Sequence, residues 1–197
     1  MAGPHENLEH AEHAEHAAHS NKNIALLISV IALFLAFSET LGKSAQTAAI
    51  SDNVEASNLW AFFQAKTIRM TMLRTSAEQL QIIADSSDNA ATKAAMLKAI
   101  DGWKKTAARY DDEPETGEGR KQLSARAKQA EHKRDTAMAR YHNYEIASAA
   151  FQIGIVLASA TIITGMIVLS WLSAGLAVAG LAFMAIGFFA PHAVHLF

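Results

Sequence analysis

The run Glu55-Ala56-Ser57-Asn58-Leu59-Trp60-Ala61-Phe62-Phe63-Gln64-Ala65-Lys66-Thr67-Ile68-Arg69 decides the fold. It lies inside a segment, Ser44 to Ala84, that contains no proline and no glycine. Trp60-Ala61-Phe62-Phe63 does not alternate as a strand requires. Leu59, Phe63, Lys66, Met70, Leu73, Ala77, Leu80 and Ala84 instead recur at steps of four and three, the spacing of a helix that packs along another helix. All of these are apolar except Lys66. At about 1.5 Å per residue such a helix reaches roughly 60 Å, which implies a stalk or a long helical hairpin. Lys66 on the seam has two readings. Its stem packs while its ammonium escapes to water, or it is a buried charge that sets register with a partner chain. Leu59, Trp60, Phe63, Lys66, Met70 and Leu73 are the candidate residues for core, oligomer or partner packing.

Working outward, the chain is apolar at both ends of this module. No Asp, Glu, Lys or Arg occurs from Ile24 to Phe37, or from Ile146 to Phe197. A 52-residue uncharged tail has no place in a soluble domain, so the expectation is an integral membrane protein in contact with lipid. The predicted fold class is all-α, with about three transmembrane helices and a coiled-coil-like helical-hairpin module between spans 1 and 2. The divisions are an acidic tail over 1–22, span 1 over 23–42, the module over 43–145, span 2 over 146–172, and span 3 with the C-terminus over 173–197. Ser20-Asn21 is placed as the N-cap of span 1. Glu39 falls at headgroup level; facing inward, it becomes the best ion-handling candidate. Ala150, Gly154 and Ala158 form a small-residue stripe in span 2. Ser170 to Gly175 is the expected turn before span 3.

Within the module, Asp85-Ser86-Ser87-Asp88-Asn89 reads as a turn and cap. Met96, Ile100, Trp103, Ala107 and Tyr110 mark a second helix, and Leu123, Ala127, Ala130, Arg134, Ala137, Tyr141 and Tyr144 a third. Between them, Asp111 to Gly119 reads as an acidic, solvated tip. Lys43, Arg126, Lys128, Lys133, Arg134 and Arg140 outnumber Lys22, which favours the module in the cytoplasm.

In the tail, Glu-His-Ala repeats three times, and His10, His13, His16 and His19 are i, i+3 neighbours on a helix. Imidazoles so spaced can hold zinc, copper or nickel, or the tail is simply solvated. There is no cysteine, which excludes disulfides and thiolate chemistry. The net charge of −2 gives no reason to expect a nucleic-acid partner. No phosphate loop, nucleophile motif or zinc-protease His-Glu-x-x-His is present, so the reading is not an enzyme.

The run Glu55-Ala56-Ser57, Trp60, Phe63-Gln64-Ala65-Lys66 and Ile68-Arg69, following a first span, resembles an uncharacterised bacterial membrane-protein family, domain of unknown function 4337. The resemblance covers most of the chain and implies a bacterial inner-membrane location with this layout. It implies no activity and no catalytic or binding residue. The functional expectation is a self-associating structural or assembly protein, as a homo-oligomer or within a larger membrane complex. The alternatives are an oligomeric channel or transporter, and metal binding through the tail.

Overall fold

The computed structural model describes residues 4–193, with side chains from residue 22 onward. Four helices follow in order: α1 (Pro4–Asp85), α2 (Ala90–Asp111), α3 (Arg120–Thr164) and α4 (Ile167–Phe189). No strand occurs among the described residues. Stretches of α1, α3 and α4 are long and apolar enough to cross a membrane. The helices form two compact units, one of residues 1–48 and 136–197, the other of 49–135.

α1 is 82 residues long because nothing stops it. No proline or glycine falls between residues 5 and 41, and Gly42 sits in the helix, buried, with Tyr144 Cβ 3.5 Å from where its own Cβ would be. The expected helix start at Ser20-Asn21 is therefore absent; the backbone is already helical there.

In the first unit, Ile31 of α1 packs on Ala147 and Phe151 of α3, with Leu27, Phe34 and Leu35 around them. Phe34 and Phe151 stack with centroids 6.2 Å apart. The buried residues of α4 are Ser173, Gly180 and Gly187, at seven-residue intervals. All three are small, so this helix approaches its neighbours through backbone. A Cβ at Gly180 would lie 2.7 Å from Phe151 Cε1, and one at Gly187 3.0 Å from Tyr144 Cε1. Two buried hydroxyls bridge helices. Ser38 donates to the Tyr144 carbonyl at 2.9 Å, and Ser173 to the Gly154 carbonyl at 2.7 Å. Of the stripe expected in α3, Gly154 and Ala158 are buried and Ala150 is half-buried.

The turn between α3 and α4 differs from expectation. It is Gly165–Met166, and Ser170 to Gly175 lies inside α4. The reason is backbone conformation: Gly165 has φ +73°, a left-handed geometry that ends a helix and suits glycine. Nothing comparable happens at Gly175, which stays helical with open space where a Cβ would be.

In the second unit, Ala56 and Leu59 of α1 close on Leu123, Ala127 and Ala130 of α3, flanked by Trp60 and Phe63. Every position of the α1 seam from Leu59 to Ala84 is buried or half-buried, as are Met96, Ile100, Trp103, Ala107 and Tyr110 of α2. The Asn89 side chain caps α2, accepting from Ala91 and Thr92 N–H at 3.0 and 3.1 Å.

Gly180→Val is expected to lower the stability of the detergent-solubilised protein by about 1–3 kcal/mol, because the new branch meets the Phe151 ring. Thermal melts should show Gly180→Val costing less in a Phe151→Ala background than in the wild-type protein.

Candidate functional site

The sequence candidates gather on one face of α1 in the second unit. Leu59 and Met70 are buried, and Trp60, Phe63 and Leu73 half-buried. Trp60 meets Phe63 edge to face at 5.4 Å and donates its indole N–H to Glu131 Oε1 at 2.9 Å. Contacts within the chain thus take up the face expected to pack against a second copy, because α3 supplies the small Ala127 and Ala130 opposite it.

Lys66 does not escape to solvent. It is 6% exposed. Its Nζ lies 3.5 Å from Glu113 and 3.8 Å from Glu118, and 5.5 and 5.0 Å from the ring centroids of Phe62 and Tyr110. The two carboxylates offset its desolvation at ion-pair distance, and the two ring faces add cation–π attraction. Its partner charge is in the same chain. The acidic loop is solvated, as expected, at Pro114, Glu115, Thr116 and Glu118, but its ends are tied to the helices. Glu113 is 15% exposed and is shared with Arg109 at 3.3 Å. Arg120, at the start of α3, donates to Thr67 Oγ1 and Asp111 Oδ1, each at 2.8 Å, and lies over the Phe63 ring at 5.0 Å. Asp112 accepts from Gln122 at 2.6 Å and from Lys121 at 2.9 Å. Those two hydrogen bonds, Gln122's first, hold the Asp112 carboxyl below its ordinary pKa. Gly117 turns the loop with φ +69°. Gly119 is buried against the Glu113 backbone nitrogen, too close for any Cβ.

The opposite face of α1 carries a second seven-residue series, distinct from the buried seam. Val54, Ala61, Ile68, Thr75 and Ile82 recur every seven residues, all exposed. Beside them run Asn58, Ala65, Met72 and Gln79. None of the nine is charged. The exposed faces of α2 and α3 in this unit carry Lys98, Asp101, Lys104 and Lys105, and Lys121, Arg126, Lys128 and Lys133. The large apolar side chains exposed in this unit are Ile50, Val54, Phe62, Ile68, Met72, Ile82 and Ile83 on α1, against Leu97 alone on α2 and none on α3 up to residue 135. Thr67, Ile68, Thr71, Met72, Thr75 and Ser76 line a shallow groove there. The signal was present in the sequence as a second seven-residue series, hidden because the first is more apolar.

Residues 20–190 match a family described as domain of unknown function (DUF4337). The chain belongs to that family. No curated protein and no solved structure matches it. The DUF4337 match takes in both units from residue 20 onward and leaves out the repeated Glu-His-Ala segment. His10, His13, His16 and His19 have side chains outside the described residues. Among the described residues, no group of three or more His, Asp or Glu is arranged to hold a metal ion. Glu39, weighed as an inward carboxylate, is exposed and accepts a hydrogen bond from Gln152 at 3.3 Å.

Two outcomes follow for the loop latch. Glu113→Ala combined with Glu118→Ala is expected to destabilise the protein by about 3–5 kcal/mol, because together they strand a buried ammonium. Lys66→Met is expected to cost less than about 1.5 kcal/mol, since Glu113 keeps Arg109. Denaturant unfolding followed by circular dichroism should show the two variants well apart. For Asp112 the folded pKa is the lower one, so its stabilisation is present above the unfolded value and is lost as pH falls through the folded value. A carboxyl-carbon NMR titration should give Asp112 a midpoint below that of free aspartate, and Gln122→Ala should move it upward.

Proposed function

We propose that this chain is a multi-pass membrane protein that self-associates through the module, acting as a structural or assembly element and not as an enzyme. One observation supports it above the others: the neutral outer stripe of α1 between Val54 and Ile82. A helix face in water normally carries charge. Here the exposed faces of α2 and α3 do so, whereas the α1 stripe does not: the exposed charges Glu55, Arg69, Arg74 and Glu78 lie outside its nine positions. An uncharged exposed row that leaves Val54, Ile68, Met72 and Ile82 to solvent supports an association site. Membrane insertion fixes the second copy's direction. Copies related by an axis normal to the bilayer point the same way, so a residue near the axis meets its own counterpart. A face that meets itself tolerates Val54, Ile68, Met72 and Ile82, and would be repelled if it held lysines.

The proposed location is the bacterial inner membrane, with the module in the cytoplasm. The cluster of Arg126, Lys128, Lys133, Arg134 and Arg140 close to the second apolar stretch, against Lys22 alone before the first, supports that orientation.

Gently extracted protein in nanodiscs is expected to add to the mass of the empty disc a whole multiple of 21.2 kDa greater than a single copy, by mass photometry. Ile68→Glu with Met72→Glu is expected to convert that particle to smaller species while leaving the helical circular-dichroism signal unchanged, because both side chains point to solvent. A wild-type monomer would defeat the proposal. A particle containing other proteins would make the stripe a docking face for a different chain.

A further inference from the structure

The outer stripe of α1 in the second unit holds more than apolar side chains. Counted as a heptad, it puts Asn58, Ala65, Met72 and Gln79 at a, and its other positions, from Val54 to Ile82, at d. Every large apolar side chain that α1 exposes in this unit falls on that seam or on its e and g flanks: Ile50 is at g, Phe62 and Ile83 are at e, and the rest are at a or d. The b and f positions, Leu59 and Met70 among them, face inward. α1 therefore carries two seams, and the inner one is packed by this chain's own helices.

Charge on the flanks fits a second copy running the same way. In a parallel seam each g side chain faces the e side chain of the next heptad on the other helix. Glu55 then meets the partner's Ile50, Arg69 the partner's Gln64, and Glu78 the partner's Ile83. No like charges are opposed. The groove on this face has the same sense. Ile68, Thr71, Met72 and Thr75, which line it, are the d, g, a and d residues that make the hole for an a-position knob. With two copies in register that knob is the partner's Met72. A slip of seven residues would offer the short Ala65 or the polar Gln79 instead.

Asn58 and Gln79 discriminate between these registers. Both are exposed, and neither side chain is hydrogen-bonded among the described residues. A carboxamide holds donors and an acceptor together, so it is complementary to another copy of itself. In register each amide meets its counterpart. Slipped by seven residues, Asn58 faces Ala65 and Gln79 faces Met72, and amides covered by the seam lose their partners at a cost. We infer that α1 packs against the α1 of a second copy in parallel and in register, with Asn58 and Gln79 setting that register through amide-to-amide hydrogen bonds across the seam. The inference rests on the self-assembly reading above and gives that contact its geometry.

The chain has no native cysteine, so introduced thiols report single contacts. Ala61→Cys and Ile68→Cys occupy successive d positions, and Lys98→Cys lies on the exposed face of α2. Seven residues of helix span about 10 Å, beyond the reach of a disulfide. Full-length chains are oxidised in proteoliposomes and run without reductant, and unoxidised particles are weighed in nanodiscs. Ala61→Cys and Ile68→Cys should each give a covalent dimer, and Lys98→Cys little. When an Ala61→Cys chain is co-expressed with a longer, tagged Ile68→Cys chain, the mixed dimer reports the slipped register. It should form roughly 10-fold less than the like pairs. Asn58→Leu with Gln79→Leu should abolish that preference while the like pairs persist. A mixed dimer as abundant as the like pairs without the leucine changes would overturn the register, as would a preference that the leucine changes leave intact; both results leave self-association standing. Particles of several copies that cross-link at neither Ala61 nor Ile68 would overturn the seam. Single-copy particles without cross-links would remove the self-assembly reading as well.

Discussion

The constraint on which the rest depends is the seven-residue register of α1. Ile24, Ile31, Ser38 and Ala45 are buried in the first unit, and Leu59 and Lys66 continue the same count in the second. A parallel row runs through Gly42, Ala49, Ala56, Met70, Ala77 and Ala84, also buried. An α-helix left to itself drifts by about 20° per seven residues against such a repeat. Holding one face inward over this length therefore requires continuous packing by other helices, which α2, α3 and α4 provide within their units. The side chains in the two rows are mostly small, so neighbouring backbones come close. The larger apolar side chains are left outside, exposed along the part of α1 that is long and apolar enough to cross a membrane and beside an unmatched neutral face along the other.

Buried polar groups are handled differently in the two units, for a reason of local dielectric. Among its described residues the apolar unit buries Ser38, Asn143, Thr161 and Ser173 and no charged residue. Each hydroxyl finds a backbone carbonyl. Asn143 donates to the carbonyls of Ala139 and Pro191, tying the end of α4 to α3, while its oxygen has no protein partner. The module instead buries a full charge. Lys66 is tolerable because two carboxylates and two aromatic faces surround it, and because an aqueous phase lies close to Glu118, which is 52% exposed. The ion pair contributes less to net stability than to register, since it fastens the 112–119 loop to one turn of α1 and to no other.

The module stripe is not unusual in composition, being a row of neutral side chains. It becomes informative through its setting, because it stands out against the charged exposed faces of α2 and α3.

Sequence alone determined the helices, their inward faces and the three apolar stretches. These follow from local pattern: Leu59 to Ala84 repeats at helical spacing whatever it packs against, and a 52-residue run without charge has few physical homes. Sequence also marked Lys66 as anomalous, but not how it would be satisfied, since Glu113 and Glu118 are distant in the chain and reach it only after the loop folds back. The α3–α4 turn was misplaced because glycine is compatible with both helix and turn; the φ of Gly165, not its identity, decides between them. The Glu39–Gln152 pair was likewise invisible as a pair. More than a hundred residues separate its members, and only the antiparallel packing of α1 on α3 brings them within hydrogen-bonding distance.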